Sequence, residues 1–303
     1  MLEKILSEPI LSVLQEKING DKLYEIRLRA RKPVMVNYCG RYMYLTADGV
    51  SDEAARAFVP DRKAIESVIL RASEHSLYVF NEQIKQSFIT VMGGARLGIC
   101  GESVSEGGAV KTVKNFTSVN IRIPHEVKNC SLNCFKYIAD KQIYNTLIVS
   151  PPGAGKTTWL RDLACQLSRL VPPPNILILD ERSEIAAVSA GIPQLDTGPT
   201  SDIMTNCGKA YGFEYGVRSM RPDVIITDEL ANAADAEAAA GAIAAGVKII
   251  ASTHAFDHLD LNLKPAFESV LKRRLFNRFV VLSNRRGPGT CEGVYDENLN
   301  RIF

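Results

Sequence analysis

The sequence has a single tryptophan, four histidines and no apolar run long enough to cross a bilayer. Even the uncharged stretch from Ala238 to Val247 is ten residues of mostly alanine and glycine, too short and too weakly apolar to span one. No secretory signal is predicted at the start, where Met1-Leu2-Glu3-Lys4 leads into an amphipathic pattern carrying Glu8 and Glu16. Charge of neither sign dominates: 36 Lys and Arg face 34 Asp and Glu, for a net charge of +2. Composition therefore carries no nucleic-acid or membrane footprint, and no nucleic-acid partner is expected. The seven cysteines are odd in number and irregularly spaced, with no Cys-x-x-Cys pair, which excludes a disulfide framework and fits a reducing, cytoplasmic compartment. Cys130 and Cys134 are read as buried thiols, since no second Cys or His pair follows at zinc spacing.

What is present is an ordinary globular composition, 46% hydrophobic and 23% charged over 303 residues, which predicts two folded domains. Residues 1–140 read as a smaller N-terminal α+β domain for oligomer or partner contacts. Leu2 to Ile18 has a helical period broken at Pro9. Tyr24 to Arg29 alternates apolar and charged residues as a half-wet strand, and Val34 to Val36 with Tyr42 to Tyr44 continues it as a hairpin across Gly40. A helix is predicted from Asp61 to Ser73, followed by a glycine-marked series of antiparallel strands ending near Pro124.

Residues 141–303 follow a different pattern. Thr146 to Val149, Ile176 to Leu179, Val224 to Thr227 and Lys248 to Ser252 are short, rich in β-branched residues and nearly uncharged. Strands of that kind are covered on both faces, so the fold class is α/β with a mostly parallel sheet and crossover helices.

Directly after the first run stands Ser150-Pro151-Pro152-Gly153-Ala154-Gly155-Lys156-Thr157-Thr158, then a helix beginning Trp159-Leu160-Arg161. Strand, loop and helix in that order turn the string into a phosphate-binding loop of the Walker A type. Gly153 and Gly155 permit the backbone conformations that point amide hydrogens at phosphate oxygens, and the helix dipole favours the same charge. Lys156 is expected to reach the β- and γ-phosphates of ATP, and the Thr157 hydroxyl to ligate Mg²⁺. The first motif position is Ser150 where Gly is usual, a position that only begins the turn.

Hydrolysis also needs acids at the end of a neighbouring buried strand. Asp180-Glu181-Arg182-Ser183-Glu184 and Asp228-Glu229 both qualify. Spacing from Lys156 assigns Asp228 to the magnesium shell and Glu229 to water activation. Asp180, Glu181 and Glu184 then form a second acidic group near the γ-phosphate, or cap the segment that follows. His254, at the end of the fourth run, is the candidate γ-phosphate sensor. Arg218 and Arg221 are candidate arginine fingers for a neighbouring subunit, or partners of Asp180 and Glu181 in the same one. Trp159 either stacks on the base or packs in the core. The segment from Ala231 to Gly246 is a small-residue helix with no chemistry of its own.

The stretch Arg218-Ser219-Met220-Arg221-Pro222-Asp223-Val224-Ile225-Ile226-Thr227-Asp228-Glu229, followed by Ala251-Ser252-Thr253-His254-Ala255, resembles the Walker B and His-box signatures of the ATPases that power type II and type IV secretion. Ile178 to Glu184 is similar to that family's Asp box. The pattern departs in two places: Asp228 stands where Gly commonly precedes the Walker B glutamate, and the tetracysteine motif is absent. With Glu25-Ile26-Arg27-Leu28-Arg29 and Gly94-Ala95-Arg96-Leu97-Gly98, the whole chain resembles a family of sporulation ATPases from endospore-forming bacteria. That resemblance implies a RecA-like C-terminal domain with ATP bound between the two domains of a ring oligomer, taken as a hexamer. It also implies a mother-cell protein, peripheral at the membrane facing the forespore, that works with membrane proteins of a transenvelope channel. Arg27, Arg29, Arg96 and Arg122 then become candidates to reach nucleotide or a neighbouring subunit; a solvated strand face explains each equally well. Two other functions fit the same residues, a nucleic-acid translocating or remodelling ATPase and a non-hydrolysing, nucleotide-dependent scaffold.

Overall fold

The computed structural model describes residues 1–264 and 267–303, which form two compact units, Met1–His125 with Ala187–Gln194, and Glu126–Ala186 with Leu195–Phe303. The main boundary thus falls before the expected residue 140, because the helix at Leu132–Ile138 buries Cys134 and Ile138 in the core of the second unit. Among the described residues no helix is long and apolar enough to cross a membrane.

In the first unit, α1 (Leu2–Ile5) and α2 (Ile10–Lys17) are separate helices, broken around Pro9. They precede β1 (Leu23–Arg29), β2 (Met35–Tyr38), β3 (Arg41–Thr46), β4 (Gly49–Ser51), α3 (Arg62–Ala72), α4 (Asn81–Lys85), β5 (Phe88–Thr90), β6 (Arg96–Glu106) and β7 (Ala109–Arg122). The strands make one antiparallel sheet in the order β4-β3-β2-β1-β7-β6-β5. Gly107 and Gly108, at φ +60° and +83°, close the long β6–β7 hairpin, a turn that needs left-handed backbone at both positions. Alternation sends Ile26, Leu28, Val36, Leu97 and Ile121 into a core shared with Ile65, Val68 and Ile69 of α3. The Asp61 side chain caps α3 by accepting the Ala64 N–H at 2.8 Å.

The second unit holds α5 (Leu132–Ile138), β8 (Thr146–Ser150), α6 (Lys156–Leu167), β9 (Ile176–Asp180), β10 (Ser201–Thr205) and α7 (Lys209–Met220). It continues with β11 (Val224–Glu229), α8 (Ala233–Ala244), β12 (Lys248–His254), α9 (Glu268–Lys272), β13 (Arg278–Ser283) and β14 (Thr290–Asp296). Its sheet runs β10-β9-β11-β12-β8-β13-β14, parallel except for β14. All four predicted buried runs are parallel strands of this sheet, and β8 and β9 are buried along their whole length. β12 alone separates β8 from β11, and β9 lies one strand farther out. Pairing in register puts His254 opposite Ser150 and Glu229 opposite Ser252, so the polar strand ends gather along one carboxyl edge.

Small residues let two helices lie close to this sheet. The buried side of α7 includes Gly212 and Gly216, where an added Cβ would fall 3.0 Å from Leu179 and 2.5 Å from Leu177 side-chain atoms. α8 buries Ala236, Ala239, Ala240 and Ala242, as its composition predicts.

Candidate functional site

Ser150 ends β8 fully buried, and its hydroxyl donates to the Pro151 carbonyl at 3.0 Å. Gly153 and Gly155 take φ +73° and +82°, the left-handed conformation that their residue type permits. No atom lies within 4 Å of where a Cβ would sit on Gly153, so the loop's outer face is open there. At Gly155, the residue before α6, a Cβ would fall 3.0 Å from the Gly289 nitrogen. That nitrogen donates to the Ala154 carbonyl at 2.8 Å, tying the turn before β14 to the loop. Pro152 and Gly153 are exposed, and Thr157 and Thr158 half-buried, at the start of α6. Trp159 is fully buried among Ile148, Leu160 and Ile178, so it packs in the core and stacking on a base falls away.

Lys156 is buried with its ammonium turned back over the loop. It lies 3.3 Å from the Ser150 hydroxyl, 3.5 Å and 3.4 Å from the Ser150 and Pro151 carbonyls, and 2.8 Å from His254 Nδ1. Burial lowers its pKa to about 8; the Glu229 carboxylate opposes that fall and the Lys264 ammonium adds to it. His254 Nε2 stands 3.6 Å from a Glu229 oxygen. Burial, then the Lys156 charge, push the imidazole below its ordinary range. A ring that accepts from an ammonium at Nδ1 is neutral and carries its proton on Nε2, the nitrogen facing Glu229. The Lys264 ammonium donates to the His254 carbonyl, fixing the strand end behind the ring.

The acids divide into three environments. Glu229 is partly open, beside His254. Asp228 is mostly buried and pairs with Lys209 at 2.8 Å, while the same ammonium reaches Glu181 at 2.7 Å. Burial pushes the Asp228 carboxyl up and Lys209 pulls it back, with the charges of Asp180 and Glu181 raising it further. Burial alone would lower the pKa of Lys209, whose side chain is only 4% exposed; Asp228 and Glu181 reverse this and raise it. Asp180 is fully buried and faces inward: its two oxygens accept the backbone N–H groups of Glu184, Ile185 and Ala186. Of the second acidic group, then, Asp180 holds the following loop and Glu181 steadies Asp228 through Lys209.

Arg218 pairs with Glu214 on its own helix at 3.0 Å rather than with Asp180 or Glu181, and its side chain is 71% exposed. Arg221 is exposed at the left-handed end of α7, with φ +47°. In the first unit, Arg27 pairs with Glu25 and lies over Tyr42, Arg29 reaches the Met35 sulfur, and Arg96 lies 4.0 Å above the Phe88 ring and opposite Arg122 in register.

Sequence reasoning missed Lys209 and Lys264. Lys209 shares a helical face with Gly212, Phe213 and Gly216, a small and apolar stripe that was a usable sign of its inward direction. The arrangement combines a loop whose left-handed glycines precede a helix, a lysine, hydroxyl and carboxylate oxygens of the type magnesium prefers, and a carboxylate next to an imidazole.

A family model described as "Sporulation stage III, protein AA" matches residues 1–302. The chain is 35% identical to stage III sporulation protein AA of Bacillus subtilis (strain 168), over 99% of this chain and 95% of the relative. Among solved structures it is similar to the pilus retraction motor PilT with bound ADP, with a TM-score of 0.60 and 16% identity over 91% of this chain and 78% of the other. It is also similar to the ATPase DotB of Legionella pneumophila, with a TM-score of 0.55 and 13% identity over 97% of this chain and 77% of the other. At those identities the structures establish the α/β fold.

Proposed function

The chain belongs to the sporulation stage III, protein AA family, and from that premise we propose that it is a Mg²⁺-dependent ATPase, working as a ring oligomer to power or assemble a transenvelope, secretion-like channel during endospore formation. The observation that carries the reading is the loop Ser150 to Thr158, with both glycines left-handed and Lys156 in contact with a histidine that stands beside Glu229. Amides from Gly153 to Thr157 and the Lys156 ammonium hold the triphosphate. The Thr157 hydroxyl and Asp228 would hold Mg²⁺, which supplies charge neutralisation on the β- and γ-phosphates when bound. Glu229 takes the proton of the attacking water. His254, in contact with Lys156 and near Glu229, registers whether a γ-phosphate is engaged. Glu181 acts through Lys209 to keep Asp228 in place.

The exposure of Arg218 and Arg221 supports their use toward a neighbouring subunit. In this reading the subunits form a hexamer in the mother cell, peripheral at the membrane facing the forespore and joined to membrane proteins of the channel.

Two substitutions test the chemistry. Lys156→Ala is expected to lower turnover by roughly 100-fold or more, the scale of losing one charged donor to the reacting group. Glu229→Gln is expected to bind ATP and fail to turn it over. Hydrolysis at near wild-type rate in Lys156→Ala overturns the assignment. Specific activity should rise with assembly when rate and particle mass are followed against protein concentration. Stimulation by DNA or RNA with steep salt dependence identifies a nucleic-acid motor instead. Binding without turnover in the assembled state identifies a scaffold.

A further inference from the structure

We propose that Cys134 and Cys291 are a dithiol modification site, which closes to an intramolecular disulfide by exchange with a low-molecular-weight disulfide. Cys134 lies on α5 and is completely buried; Cys291 lies on β14 and is half-buried. Both are free thiols, 157 positions apart in the chain, and their sulfurs stand 2.7 Å from each other with Cys134 donating to Cys291. Neither takes part in the nucleotide chemistry, and the pair stands independently of it.

The two sulfurs are chemically unequal in a way that orders the reaction. The hydrogen bond from Cys134 holds the Cys291 thiol below the usual thiol range, and burial opposes it. The same bond, then burial, push Cys134 far above that range. Cys291 is thus the more exposed and more nucleophilic sulfur, and Cys134 the one placed to resolve. The Cys291 thiolate attacks one sulfur of the small disulfide, its S–S bond breaks, and one thiolate leaves. Cys134 gives up its proton and attacks Cys291 Sγ in the mixed disulfide, expelling the second small thiol. Two protein thiols and one small disulfide become one protein disulfide and two small thiols, so electrons and protons balance.

The bond would join two segments seated on the phosphate loop and its helix. The chain entering α5 is held by Asp162 of α6, which accepts the Asn129 N–H at 2.7 Å and the Ser131 N–H and hydroxyl at 2.8 Å and 2.6 Å. β14 begins directly after Gly289, whose N–H donates to Ala154 of the loop.

The test incubates the reduced full chain with oxidised glutathione, blocks remaining thiols by alkylation and maps the peptides by mass spectrometry. The expected product is a peptide pair linked through Cys134 and Cys291, two hydrogens lighter than the reduced pair. Exposed Cys39 and Cys100 serve as internal controls for glutathione reactivity. Cys134→Ser should leave a stable glutathione adduct on Cys291, and Cys291→Ser should leave position 134 unmodified. The wild-type map needs no variant to fold. A persistent adduct on Cys291 in the wild type overturns the proposal, as does full alkylation of both cysteines while Cys39 or Cys100 reacts.

Discussion

Asp180→Asn separates a carboxylate that builds the loop from one that does chemistry. Asp180 is 0% exposed, and its oxygens accept N–H groups from Glu184 at 2.8 Å, Ile185 at 3.0 Å and Ala186 at 2.8 Å. Every partner is a donor. Burial pushes the acid's pKa above its ordinary value, and the three amides oppose that rise without cancelling it. Asparagine keeps one acceptor oxygen and turns an NH₂ group toward an amide that has nowhere else to donate. Each buried polar group left unpaired costs about 1–3 kcal/mol, and two are created, so a loss of about 2–6 kcal/mol is expected. At about 2–4 °C per kcal/mol, melting should fall by roughly 4–24 °C. Thermal and urea unfolding measure this, with nucleotide binding followed well below the transition. A melting point within about 2 °C of wild type, together with abolished hydrolysis, would refute the structural role and return Asp180 to the chemistry.

Three other perturbations read out separate parts of the site and its support. Lys209→Met leaves Asp228 and Glu181 facing each other without their shared cation; removing one member of a buried pair costs about 3–5 kcal/mol, to be measured by urea unfolding. Lys209→Arg should recover part of that loss by keeping the charge. Asp162, which burial pushes up but hydrogen bonds from Ser131, Asn129 and Gln166 bring below its ordinary value, contributes stability present above the unfolded pKa of about 3.9. That contribution is lost as pH falls through the depressed folded value, and a comparison of acid unfolding with Asp162→Asn should show the variant lacking that part of the slope. Gly216→Ala forces a methyl to 2.5 Å from Leu177 and should destabilise the protein, by about 1–3 kcal/mol on the usual scale of overpacking, with a matching fall in denaturation midpoint.

Much of the second unit was legible in the amino-acid order because its signals are local. Four β-branched runs nearly without charge have one physical solution, a sheet covered on both faces, and the Gly153, Gly155 and Lys156 pattern sits between strand and helix. The polar strand ends could likewise be placed on the carboxyl edge, since parallel strands followed by helices leave their termini there. Other features depend on contacts between distant segments. Nothing local to Asp180 distinguishes an acid that binds three amides from one that faces a phosphate; the direction is set by how residues 183–186 fold back. Lys209 reads as an ordinary surface lysine until the Gly212 and Gly216 stripe shows which side of α7 meets the sheet. Membership of Ala187–Gln194 in the first unit arises from packing across the chain, which periodicity does not encode.

The neighbours of the Lys156 ammonium bear on how tightly a polyanion is held. Its charge is already satisfied by loop oxygens and by His254 Nδ1 at 2.8 Å, so a phosphoryl group gains only the difference between new partners and old ones. On the proposed function, grip would then fall mainly to the main-chain amides, and release of the spent nucleotide would be eased because the lysine has familiar company to return to. In the proposed ATPase the exchange would also free the imidazole at one nitrogen while the other still faces Glu229, so occupancy of the cradle would reach that carboxylate through a single ring.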